Sequence, residues 1–168
     1  MPQHPHDTRY RAPGPYPPIM VRERNTDYAR VIYDDFAGRD SELTAITQYL
    51  YHHFAANNME VADLLENIAM VEMHHLEMLG QVIVLLGGDP RYWGSGLSYW
   101  NGSYVNYETD LCRALQANLP GEQVAQQTYQ NHAAQIQDPY VREILLRIAR
   151  DEEVHERLLR EAIDRYCR

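Results

Sequence analysis

Five residues in the first half of this chain, Glu42, Tyr49, His52, Glu72 and His75, recur 80 positions later as Glu122, Tyr129, His132, Glu152 and His155. Each copy holds one carboxylate and, 30 positions on, a Glu-x-x-His. Residues three apart on a helix share a face, so each Glu-x-x-His presents a carboxylate and an imidazole side by side. That donor pair, with a further glutamate, is half of a site for two transition-metal ions. The doubled pattern therefore predicts two metals per chain, held by Glu42, Glu72, His75, Glu122, Glu152 and His155.

The spacing also predicts the elements that carry these residues. The midpoint of Glu42 and Glu72 falls in Ala56-Asn57-Asn58, and that of Glu122 and Glu152 in Gln137-Asp138-Pro139, both turn-forming stretches. Two antiparallel hairpins of equal arm length bring each pair of glutamates to one height. Around them the apolar residues step by three and four: Leu65, Ile68, Glu72, His75, Leu79, Val82 and Leu86, then Leu145, Ile148, Glu152, His155, Leu159 and Ile163. The acids thus face a core. Buried charge is costly unless it is paired or metal-bound, and two divalent cations balance four carboxylates. The alternative is a metal-free core in which several of the glutamates are protonated.

The expected architecture is all-α, a four-helix bundle with a long crossover between its second and third helices and two pseudo-symmetric hairpins. The first helix is predicted from about Asn25 to Ala56, weakened at Gly38 and Asp40-Ser41. The second runs from Met59 to Leu86 and stops at Gly87-Gly88-Asp89-Pro90. The third spans about Tyr107 to Gln137, with Pro120-Gly121 just ahead of Glu122, and the fourth runs from Pro139 or Tyr140 to Tyr166. Glu42 and Glu122 each follow a backbone irregularity, expected as a kink, a π-bulge or a helix restart. The crossover, Gly88 to Asn106, carries Trp93 and Trp100, which are expected over the side of the bundle. Residues 1–24 hold six prolines with His4 and His6, and read as an extended arm, either a tail or a strand laid on a neighbouring subunit. Residues 25–168 form the bundle.

A net charge of −9 argues against nucleic acid or an anionic membrane surface as partner. All 15 basic residues are arginine. Cys112 and Cys167 form no Cys-x-x-Cys motif and do not suggest a disulfide scaffold. No run approaches the roughly 18 apolar residues of a membrane span, and a cytoplasmic protein is expected. His52 and His132 fall off the metal face and read as structural. His53 lies about 16 Å along the helix from Glu42, and His74 points away.

A glutamate on each of the first and third helices, with Glu-x-x-His on the second and fourth, resembles the ferritin-like di-iron and di-manganese carboxylate proteins over about residues 25–168. His75-Leu76-Glu77-Met78-Leu79 is similar to the second-helix signature of manganese catalases and related spore-coat proteins. Asp151-Glu152-Glu153-Val154-His155 resembles the fourth helix of bacterioferritins and rubrerythrins. The resemblance implies Glu42 and Glu122 as terminal ligands, Glu72 and Glu152 as bridges, and His75 and His155 as caps on one metal each. Manganese catalases keep the residue at the place of Glu152 off the metals. Tyr49 and Tyr129 would donate hydroxyls to carboxylates, completing a catalytic set with Glu72 and Glu152. Asp151 would orient His75 through its outer N–H; the matching place in the first repeat is Val71, so His155 is expected to lack that support. Met73 falls where bacterioferritins place a haem-binding methionine, and reads here as an ordinary methionine. Rubrerythrins carry a further third-helix carboxylate where this chain has Ala125, and usually a Cys-x-x-Cys module that is absent here.

The implied function is redox chemistry on hydrogen peroxide or dioxygen at two manganese or iron ions. Catalase-like peroxide removal is favoured, because it needs no electron donor. The alternatives are a ferroxidase or iron-storage protein and a structural coat or encapsulated cargo protein. Ligand type does not separate manganese from iron. A homo-oligomer, at least a dimer, is expected.

Overall fold

Helix starts in this chain are set by short polar side chains that take up free backbone N–H groups. In the computed structural model, which describes residues 8–167, Asn25 accepts from Asp27 and Tyr28 and opens α1 (Thr26–Ala37). Ser41 accepts from Thr44 at 3.3 Å and opens α2 (Glu42–Ala55). Asn58 opens α3 (Met59–Leu86), Asp110 opens α4 (Leu111–Gln135) and Asp138 opens α5 (Pro139–Tyr166). α3 ends at Gly87, whose φ of +90° is a left-handed conformation that costs glycine little. The first expected helix is thus two helices, broken at Gly38–Ser41, and Glu42 is the first residue of the restart. The third helix begins four residues later than expected. Side chains of Asn106 and Glu108 bond the next backbone N–H groups and hold that stretch as loop until Asp110 caps.

α2 pairs with α3 and α4 with α5 as two hairpins, and α1 packs on α3. The apolar stripes meet in two clusters. One joins Ile32 and Phe36 of α1 to Leu79, Val82 and Ile83 of α3 and Ile144, Leu145 and Ile148 of α5. The other joins Tyr49, Leu65, Ile68, Leu115 and Leu159. Along α3 and α5, Glu72 and His75, and Glu152 and His155, occupy the stretch between the two. Each fully buried aliphatic side chain contributes about 1.5–3 kcal/mol. These layers hold the acids from both sides.

The crossover lies against α1 and α2. Trp93 meets the Tyr33 ring edge-on, Trp100 Nε1–H donates to Thr44 Oγ1 at 2.9 Å, and the Asn106 N–H donates to Gln48 at 2.7 Å. α3 is long and apolar enough to cross a membrane by length and composition, contrary to the expectation from the sequence. Half of that stretch is buried in the bundle, as in a core helix. Cys112 and Cys167 are also unlike the expectation: they form a disulfide joining the start of α4 to the residue after α5. Two cysteines 55 positions apart carry no local signal, but the hairpin returns one to the other. The described part of the arm packs on its own bundle, with a short 3₁₀ turn at Thr8–Tyr10. Its far end is fixed by the Arg22 N–H donating to Asp138, the α5 cap, at 2.5 Å. His4 and His6 lie outside the described residues.

Candidate metal centre

The two lone glutamates are placed differently, Glu42 by a helix start and Glu122 from within α4. Glu42 leaves the Ser41 cap at the start of α2. In α4, Pro120 removes the N–H that would bond the Gln116 carbonyl two residues before Glu122, but the helix continues through it, so the expected kink, π-bulge or restart is not seen there. Glu72 with His75 and Glu152 with His155 project from mid-α3 and mid-α5. All six side chains are at most 4% exposed, so this is no surface acid cluster.

They form two sets that share two members. Glu42, Glu72, His75 and Glu152 bring donor atoms within 4.8 Å of one another, as do Glu72, Glu122, Glu152 and His155. Both histidines turn Nδ1 inward. His75 Nδ1 lies 2.8 Å from Glu72, 3.3 Å from Glu152 and 3.6 Å from Glu42. His155 Nδ1 lies 3.1 Å from Glu72, 3.3 Å from Glu152 and 3.4 Å from Glu122. Glu152 Oε1, fully buried, makes no hydrogen bond. Four carboxylates, two inward imidazole nitrogens and an orphaned oxygen suit two divalent ions, manganese or iron, in donor type and charge.

Without metal the cluster must share protons. Burial raises Glu42 well above the usual carboxylate range, with Glu72 adding to the effect, and raises Glu122 to about 7. Burial also pushes Glu72 and Glu152 upward, yet both end below the usual value. At both, His155 and His75 together outweigh burial. Burial opposes charge on both histidines, but the acids around them raise both.

Tyr49 donates to Glu122, and Tyr129 donates to Glu42. Burial, then these carboxylates, push both phenols well above their ordinary value, so they remain donors. The bonds cross between hairpins, which helical spacing alone does not reveal. Asp151 accepts from the outer nitrogen of His75 at 3.0 Å, and its carboxyl is held far below the usual range. Burial alone would raise it, but His75, Arg147 and Tyr16 outweigh that. His155 does not lack an outer partner: its Nε2 meets the Tyr10 carbonyl at 2.9 Å. That acceptor is a backbone atom, which no residue pattern announces. Arg147, wholly buried and bonded to Asp151, was also unforeseen, although its spacing of four residues from Asp151 was a usable signal.

The other described histidines lie apart from the cluster. His52 accepts from Asn118 at 3.0 Å, His132 pairs with Asp35 at 2.7 Å, and His53 meets the Ala62 carbonyl at 2.9 Å. Met73 is half exposed. A cavity of about 320 Å³ opens between α2 and α4, with Glu42, Glu72, Glu122, Glu152, Tyr49 and Tyr129 in its wall. Its wall also includes Asp40, Tyr104 and Val124. It admits a small molecule to the acids.

Two family models match in succession. Residues 17–94 match manganese containing catalase, and residues 113–167 match rubrerythrin. A protein of Clostridium acetobutylicum described as a probable manganese catalase is 27% identical over 168 residues, covering 88% of this chain and 75% of its own length. Among solved structures, the manganese catalase KatB of Anabaena superposes with a TM-score of 0.85 at 27% identity, covering 92% of this chain and 78% of that one. The bacterioferritin BfrA of Mycobacterium tuberculosis gives 0.71 at 26% identity, covering 85% and 89%.

Proposed function

We propose that this chain, a member of the ferritin-like di-metal carboxylate superfamily, is an oxidoreductase that disproportionates hydrogen peroxide in the manner of a manganese catalase. The observation that carries the reading is the pair of buried donor sets joined through Glu72 and Glu152 and opening on a cavity of about 320 Å³. The likeness to manganese catalases over most of the chain selects peroxide.

A bound metal pair supplies a two-electron couple: one peroxide is oxidised to dioxygen with loss of two protons, and a second takes up two electrons and two protons to give two waters. The chain's own residues hold the rest in place. Glu42, Glu72, His75, Glu122, Glu152 and His155 would hold the ions. The Tyr49 and Tyr129 hydroxyls fix Glu122 and Glu42 in orientation and are the protonated groups nearest those carboxylates. The apolar layers above and below confine approach to the α2–α4 opening.

One observation favours the rival reading, a ferroxidase or iron-storage protein. Glu152 belongs to both donor sets, where manganese catalases keep this residue off the metals. A homo-oligomer is part of the proposal, supported by Met70, Met73, Val84 and Leu85 exposed on the outside of α3. So is a cytoplasmic location. The Cys112–Cys167 disulfide counts against it, because reducing compartments keep thiols free.

The test is metal content and turnover of the purified protein. We expect two manganese ions per chain and dioxygen evolved from peroxide with no added reductant, both lost in Glu72→Ala with Glu152→Ala. Uptake of hundreds of irons per particle, with no dioxygen from the manganese form, would transfer the function to iron storage.

A further inference from the structure

Both histidines face the acids through Nδ1 and point Nε2 away from them. A neutral imidazole that binds metal through Nδ1 carries its proton on Nε2, and that proton needs an acceptor. For His155 the acceptor is the Tyr10 carbonyl at 2.9 Å. For His75 it is Asp151, and the same N-terminal segment holds Asp151. Asp151 Oδ1 accepts from the Ala12 N–H at 2.6 Å and from Arg147; Oδ2 accepts from the Tyr16 hydroxyl at 2.7 Å and from His75 at 3.0 Å. Four donors fill a carboxylate that is wholly buried. Arg147 closes the ring by donating to the Ala12 carbonyl at 2.9 Å, with its guanidinium 4.1 Å from the centre of the Tyr16 ring. The segment is Ala-Pro-Gly-Pro-Tyr-Pro-Pro over residues 12–18, and its prolines reduce the entropy lost when it docks.

We infer that residues Tyr10–Tyr16 are a positioning strap that sets the affinity of both metal positions, acting directly on His155 and through Asp151 on His75. The inference rests on the two-metal reading above. It makes the strap part of the centre although none of residues 10–16 belongs to either donor set. The two positions are backed unequally, one imidazole by an anion and the other by a neutral carbonyl. Loosening the strap should therefore act differently according to which contact is cut.

Stepwise binding of cobalt(II) and manganese(II) to the full chain tests this, with cobalt absorption reporting the ligand field and circular dichroism reporting the fold. Tyr16→Phe removes one donor from Asp151 and should weaken one of the two positions about ten-fold. Ala12→Pro removes the N–H to Asp151 and restrains the residue before it, so it should weaken both positions by about 10–100-fold, the usual effect of losing a ligand's outer partner. Tyr107→Phe, which cuts a crossover bond to the Gly102 carbonyl, should change neither. Linkage requires the converse, that metal slows hydrogen exchange at the Ala12 amide and protects the bond after Arg11 from trypsin. If Ala12→Pro fails to fold, Tyr16→Phe and the exchange experiment decide. Wild-type protein that binds two metals, with affinities in Tyr16→Phe within two-fold and Ala12 exchange indifferent to metal, would overturn the strap and leave the two-metal reading intact. Wild-type protein that binds no metal would end both.

Discussion

Protons and metals compete for the same six side chains. The Glu122 carboxyl is raised from 4.5 to about 7, first by burial, and Glu42 is raised with it. His75 and His155 are also raised, since the acids outweigh burial. Groups with raised values keep protons that the unfolded chain has released. For Glu122 the resulting contribution to stability is complete below pH 4.5 and is lost as pH climbs through about 7, and for the histidines it is complete below 6.5 and is lost above that. Glu72 and Glu152 act oppositely, but only in acid. The melting temperature of the metal-free protein should accordingly fall between about pH 5 and 8, and saturating manganese should remove the fall while releasing protons into a weakly buffered solution. A flat or rising profile without metal would refute this. At this scale much was legible, because the repeat names which acids and imidazoles share a face. Periodicity gives faces and not neighbours, so the crossing of Tyr49 to Glu122 and the carbonyl behind His155 stayed hidden.

Among the helices, the break before α2 has the clearest consequence. Gly38, Asp40 and Ser41 weaken any continuous helix, and Ser41 begins the new one, so Glu42 takes its direction from a cap. Ser41→Ala should cost about 1 kcal/mol, or about 2–4 °C in melting temperature for a chain of this size. It should also weaken the metal position that uses Glu42, and Ser41→Thr should restore both. Unchanged metal affinity in Ser41→Ala would mean that Glu42 is placed by Tyr129 and not by the cap. The break at Gly38–Ser41 was readable because its residues break helices by known means, whereas α4 runs on without interruption through Pro120-Gly121, where a similar irregularity was expected. The start of α4 was not readable, because Glu108 is a good helix former by propensity, and it and Asn106 hold the loop through particular hydrogen bonds.

Across the whole molecule, the disulfide joins the open ends of the second hairpin. A bond spanning 55 residues restricts the unfolded chain by about 2–4 kcal/mol. Cys112→Ser should lower stability by that amount and leave metal stoichiometry unchanged, because both cysteines lie beyond the apolar layer around Leu115 and Leu159. Loss of metal in this variant would show that the hairpin ends help to shape the centre. The contact of the Tyr10 carbonyl with His155 carries a consequence in time. Its partners are 145 positions apart, so the segment made first must wait for nearly the whole chain, about 7–30 s at usual rates of synthesis. Until residue 155 has left the ribosome, one imidazole and its acceptor cannot meet, and a nascent chain exposed to metal holds at most an unfinished site.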